Sequence, residues 1–239
     1  MGMTQPWPRL LVALTGWLFA VGATSVAYPA FAQTDTPPAG CTAFLTVQYK
    51  GCAASLLWRC SAAPDGTTWE ATFGEEGASS VATFNKEFQW LDTYFFFDGS
   101  RERMFENGPR PALLSELIET GENAYEFTTV ETSPDGDSKT TYIGIDRLTG
   151  TSKRINDEEL LVTEFASVAV DAQTREEVYR SFGNQYVLAS ENLILLGTDT
   201  WTQDGITDES DYSPVEILRP GMEGFGDTKP KYDCGVTDL

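Results

Sequence analysis

The sequence predicts a mainly β protein, one large curved antiparallel sheet rolled into a half-barrel or barrel with a single short helix packed on it. Three observations predict this. Short apolar-polar runs succeed one another along the chain, turn dipeptides separate them, and only one segment has helical period. About ten strands without intervening helices imply antiparallel connections rather than βαβ units. A sheet of that size must cover its faces and manage its edges, and curling does both. The 239 residues are 41% apolar and 12% aromatic, enough for one sizeable core and too apolar for a disordered chain.

Residues 1–32 read as a secretory signal peptide. Arg9 precedes an apolar stretch containing Leu10, Leu14, Trp17, Leu18, Phe19 and Val21, and Ala30 and Ala32 occupy −3 and −1 of a cleavage site before Gln33. An uncleaved anchor is the competing reading. A lipoprotein box at Ala39-Gly40-Cys41 is disfavoured by Pro38 and by the polar residues that precede it. Residues 33–40 read as a flexible leader, and 41–239 as one β domain.

The cysteines Cys41, Cys52, Cys60 and Cys234 all follow the signal peptide, and an even count in an exported chain reads as two disulfides. With Lys50-Gly51 as a two-residue hairpin turn, Tyr49 faces Cys52 and Cys41 faces Cys60. Cys41, Ala43, Leu45, Val47 and Tyr49 then share one apolar face with Cys52, Ala54, Leu56, Trp58 and Cys60. This favours Cys41–Cys60 with Cys52–Cys234. Cys52–Cys60 with Cys41–Cys234 stays open.

Beyond that hairpin, Pro64-Asp65-Gly66 precedes a strand over Thr68–Phe73. A less regular run spans Phe84–Phe97, and Asp98-Gly99 turns the chain into Arg101–Glu106. Pro111, the apolar set Leu113, Leu114, Leu117 and Ile118, and a terminating Gly121 mark the helix. Ser133-Pro134-Asp135-Gly136 separates Ala124–Glu131 from Lys139–Ile145, and Asp146-Arg147-Leu148-Thr149-Gly150 reads as the next turn before Thr151–Ile155. Leu160–Val170, Glu177–Phe182, Asn192–Trp201 and Val215–Leu218 complete the strands, with Asp171–Val178 open between a helix and a hairpin turn. Leu193–Leu196 is apolar throughout, as a strand buried on both faces would be. The tail from Pro220 reads as a loop pinned by Cys234.

There are 36 acidic against 16 basic residues and no histidine, a formal charge of −20 that becomes −21 when removal of the signal peptide takes Arg9. The missing imidazole excludes Ser-His-Asp and Cys-His nucleophiles and His-ligated metals. The missing basic clusters argue against nucleic acid and anionic membranes. No nucleotide-binding or nucleophile motif occurs, and no cofactor or metal site is implied.

Aromatics are the densest feature. Trp90, Phe95, Phe97 and Trp201 are the candidate lining of a cavity for a hydrophobic ligand; the competing reading is that such residues fill the core. The acids Asp199, Asp204, Asp208, Glu209 and Asp211 lack calcium-loop spacing and read as a solvated turn. The favoured function is a non-catalytic periplasmic protein binding a hydrophobic ligand or an envelope component. An envelope interaction module without a small-molecule site comes second, and a carboxylate-based hydrolase third.

Two stretches, Cys60–Trp69 and Ser213–Gly235 with its Arg-Pro-Gly and Tyr-Asp-Cys-Gly elements, resemble exported alphaproteobacterial proteins of unknown function. The resemblance implies export and brings no activity or site residue. At the level of fold alone, one helix against a curved sheet behind a signal peptide is similar to periplasmic lipoprotein carriers of the half-barrel type.

Overall fold

The structure, a computed structural model, describes residues 36–134 and 136–235. The signal peptide and its cleavage point after Ala32 fall outside them. The described chain builds one sheet of 14 strands. They are β1 (Cys41–Tyr49), β2 (Ala53–Cys60), β3 (Thr68–Gly74), β4 (Gly77–Phe84), β5 (Trp90–Phe95), β6 (Arg101–Asn107), β7 (Glu122–Ser133), β8 (Gly136–Ile155), β9 (Glu158–Asp171), β10 (Glu177–Leu188), β11 (Leu193–Leu195), β12 (Thr198–Gln203), β13 (Ile206–Asp211) and β14 (Pro214–Leu218), with one helix, α1 (Leu114–Thr120).

From β1 to β10 each strand pairs antiparallel with the next. β11 and β12 are successive pieces of one return path along β10, and β13 follows β12. β14 crosses to the opposite edge and pairs with β1. The sheet is therefore open, with β13 and β14 as its edges, yet only Tyr212 and Ser213 join those two strands. Three Cα–Cα steps span at most about 11 Å, so the sheet must curl until its edges meet at one corner. Lys50 fixes that corner, its Nζ donating to Asp211 Oδ2 at 2.8 Å and its backbone N–H to Ser213 O at 3.1 Å.

Cross-strand partners share a face, so register assigns faces across the sheet. Leu45, Val47, Tyr49, Ala53, Leu57 and Ile217 lie on the inner face of β1, β2 and β14 and pack against Ile155, Leu160, Leu188, Leu193 and Leu195. The next residues along those strands, Leu161, Val187 and Ile194, turn the other way and meet Leu114 and Leu117 of α1. The ends of β9, β10 and β11 are thus covered on both faces, which is why Leu193–Leu195 carries no polar residue. Partners outside the helix hold the start of α1. Leu113 N–H donates to Asn123 Oδ1, Ser115 N–H to Glu87 Oε2, and Gly121 ends the helix in the left-handed region at φ 86°.

Both disulfides of the favoured pairing are present, Cys41–Cys60 and Cys52–Cys234. Their hairpin differs from the expected one. Gly51 and Cys52 both take positive φ, Tyr49 pairs with Ala53 rather than Cys52, and a bulge between Ala43 and Leu45 brings Cys41 back opposite Cys60. The single apolar face expected there is split. Leu45, Val47 and Tyr49 enter the inner core, whereas Cys41, Ala43, Leu56, Trp58 and Cys60 join Ala71 and Phe73 in a cluster on the outer face.

Other boundaries also move. The expected turn at Asp146–Gly150 is continuous strand, since β8 runs for 20 residues and Gly150, at φ 77°, absorbs a register shift between Leu148 and Ser152. Phe84–Phe97 is not one run: Phe84 ends β4, only Trp90–Phe95 is β5, and between them lies a loop in which Asn85 Oδ1 accepts from the N–H groups of Glu87 and Gln89. Residues 172–176 are a hairpin turn, with Asp171 Oδ1 accepting from the N–H groups of Gln173 and Thr174. The acids after Asp199 form the hairpin of β12 and β13 around Asp204-Gly205, both at positive φ. The tail covers the outer face of β1, where Gln48 Nε2 donates to Asp227 O and Lys229 O and Gly226 N–H donates to Thr46 Oγ1.

Candidate functional site

Period-2 alternation decides what the inner face carries. Odd residues of β7 (Asn123, Tyr125, Phe127, Thr129) pair with even residues of β8 (Asp146, Gly144, Tyr142, Thr140). Tyr142 and Gly144 continue into Ala169 and Ser167 of β9, and these into Tyr179 and Ser181 of β10. The result is a connected band of rings. Phe127 stacks on Tyr142 with centroids 5.1 Å apart and meets Tyr125 at 5.8 Å, and Tyr142 meets Trp90 at 6.1 Å and Tyr179 at 6.4 Å. Gly144 makes room for it. A Cβ there would stand 2.5 Å from the Tyr125 phenol, so the Tyr125 ring lies across the glycine.

Beside the band is a cavity of about 170 Å³, lined by Phe88, Gln89, Trp90, Met104, Ala112, Tyr125, Phe127, Asp146, Gln185 and Ile194. The β4–β5 loop contributes Phe88 and Gln89, the segment before α1 contributes Ala112, and the strands supply the rest. A bulge between β4 and β5 sets Trp90 opposite Phe84 and on the same side as Thr93, to whose Oγ1 its indole N–H donates.

Two acids of this face are buried. Glu102 Oε1 accepts from Thr129 Oγ1 at 2.6 Å and from the Tyr142 hydroxyl at 2.9 Å. Burial raises its pKa, and those two donors hold part of the rise back. Asp146 has no such donors. Burial alone pushes its carboxyl up to about 7, and Tyr125 beside it is raised by burial and by the Asp146 charge.

The four aromatics expected at a ligand site fall in three places. Trp90 lines the cavity. Phe95 shares the inner face by register but lies at the far end of β5 against Phe97, with centroids 5.8 Å apart, and Phe97 is 79% exposed in the following turn. Trp201 lies on β12 opposite Ser181, in the same cross-strand row as Tyr125, Gly144 and Ser167. Sequence reasoning missed Tyr125, Phe127 and Asp146. Their signal was the alternation of β7 with β8, which assigning Asp146 to a turn concealed. Among the described residues no group of three or more Cys, Asp or Glu side chains is placed to hold a metal ion, and no helix is long and apolar enough to cross a membrane. The two disulfides place the folded domain in an oxidising, exported environment.

No protein-family model matches the sequence, and no curated protein matches it either. Among solved structures, the hypothetical lipoprotein YmcC from Escherichia coli (K12) is similar over 78% of this chain and 92% of its own, at 8% sequence identity and a TM-score of 0.42.

Proposed function

We propose that this is a non-catalytic protein of the bacterial envelope, exported to the periplasm with its signal peptide cleaved after Ala32, that binds a ligand with an apolar part on the inner face of its sheet. One observation carries this reading: a cavity lined by Trp90, Met104, Tyr125, Phe127 and Ile194 on the inner face, beside a connected band of aromatic rings. An apolar concavity with a few polar groups is the usual form of a small-molecule site. The disulfides support export, as does the resemblance of Cys60–Trp69 and Ser213–Gly235 to exported proteins.

Native mass spectrometry of the protein purified from its own periplasm tests the reading. A native species heavier than the denatured chain, with the excess mass released on denaturation, is the expected result, and the denatured mass also fixes the cleavage point. A bare monomer that binds no twelve-carbon amphiphile overturns it and favours a module that contacts other envelope proteins.

A further inference from the structure

The cavity contains a charge problem that an apolar ligand would leave unsolved. Asp146 lies on its wall and is only 9% exposed, yet among the described residues its carboxyl group accepts no hydrogen bond and has no ion-pair partner. Its oxygens are not among the fully buried unpartnered atoms of the described residues, which are Gln48 Oε1, Tyr49 Oη and Ser55 Oγ, so they open onto the cavity and take their partner from whatever occupies it. Glu102, the neighbouring acid of the same face, shows the satisfied alternative with its two hydroxyl donors.

The wall defines the missing partner's chemistry. No Lys or Arg lines the cavity, and only Asp146 and Tyr125 titrate there. Trp90, Tyr125 and Phe127 present rings, whose faces are electron-rich and attract cations. A carboxylate with aromatic faces on a chain of formal charge −20 complements a positive group and repels an anion. Size limits it further. About 170 Å³ is smaller than sites that enclose a whole drug-sized ligand, roughly 300 Å³ or more, so the cavity fits a head group. The rings of Tyr142 and Tyr179 continue the apolar surface for the rest of the molecule.

We propose that the cavity binds the ammonium group of a cationic amphiphile, with Asp146 as its counter-ion and the rings of Trp90, Tyr125 and Phe127 against its carbon atoms. This rests on the ligand-binding reading above and adds the sign of the ligand's charge. Other charged groups nearby are already engaged. Glu116 of α1 accepts from Asn123 Nδ2 at 3.0 Å, Glu102 is held by Thr129 and Tyr142, and Arg147, on the other face of β8, pairs with Glu122. Protonating Asp146 removes the counter-ion, so affinity for the cation falls as the pH drops through about 7.

The test is calorimetric titration of the full mature protein at pH 8 with dodecyltrimethylammonium, an uncharged dodecyl ether and dodecyl sulfate, each below its micellar concentration. The cation should bind at least about tenfold more tightly than the ether, and the sulfate least. Asp146→Asn should erase the advantage of the cation over the ether. Asp208→Asn, at an exposed acid of β13, should leave both unchanged, which separates the site from general attraction to an acidic surface. Wild type at pH 5.5 should behave as Asp146→Asn does at pH 8, so the pH series decides the matter even where that variant does not fold. Equal affinity for cation and ether, or a preference unaffected by Asp146→Asn, overturns the proposal and leaves the ligand-binding reading standing. Binding of none of the three overturns both.

Discussion

Asp146 stores a pH dependence that a denaturation experiment can read. Its carboxyl has an ordinary value of 3.8 in the unfolded chain and about 7 in the folded one, because burial penalises the charged form. The protonated form is the one the fold accommodates. This group's contribution to stability is therefore full below about pH 4 and is lost as the pH rises through 7, by up to about 4 kcal/mol. Asp146→Asn removes the titration. Urea unfolding should show the variant more stable than wild type at pH 8, and the difference closing by pH 4. A difference that stays constant with pH would show Asp146 to be solvated. Gly144 makes a second prediction at this scale. Gly144→Ala should cost about 1–3 kcal/mol by pressing on the Tyr125 ring, and much less in a Tyr125→Ala background, so a double-mutant cycle exposes the coupling. Of this site, Trp90 was legible in the sequence as part of an aromatic-rich run. Asp146 was not, since an aspartate followed by Arg-Leu-Thr-Gly has the chemistry of a turn, and only pairing with β7 and β9 holds it in a strand.

The local signals that survived folding were those the backbone itself enforces. Gly121 ends α1 and Asp204-Gly205 turns β12 into β13, because each requires a positive φ. Signals that depended on neighbours did not survive. The start of α1 lies at Leu114 rather than Pro111, since the entering chain is held by Asn123 and Glu87 instead of a local cap. β8 likewise runs through Gly150 because β9 pairs with it on either side of the bulge. The return path along β10 depends on two further glycines. A Cβ on Gly183 would collide with Thr198 O, and one on Gly197 with Asn184 O, both backbone atoms that cannot move aside. Gly183→Ala or Gly197→Ala should therefore separate β12 from β10 at a cost of at least about 3 kcal/mol. Lost hydrogen-exchange protection confined to β12 and β13 would locate the damage. Leu117→Ala, which empties the contact of α1 with Val187, should cost about 2–5 kcal/mol and loosen the wall of the cavity with it.

At the scale of the whole molecule, a meander that pairs each strand with its successor has no internal reason to bring its ends together. Here three devices do so. β14 returns to pair with β1, a partly buried ion network of Arg219 with Glu158 and Glu191, extended by Arg59, ties β14 to the turns at the ends of β8 and β10, and Cys52–Cys234 clamps the tail. The two disulfides should accordingly differ in weight. Cys41–Cys60 joins residues 19 apart that β1 and β2 already place opposite each other. Cys52–Cys234 closes a separation of 182 residues. In the chain-entropy account the first restricts the unfolded chain by about 3 kcal/mol and the second by about 5 kcal/mol. The Cys52→Ser/Cys234→Ser variant should thus have the lower denaturation midpoint of the two double variants. Its early damage should appear on the outer face of β1, where Gln48 and Thr46 lose their partners in the tail. A Cys41→Ser/Cys60→Ser variant that is the less stable of the two would mean that the cluster of Trp58, Leu56 and Phe73 around that bond, rather than closure of the sheet, dominates the disulfide contribution.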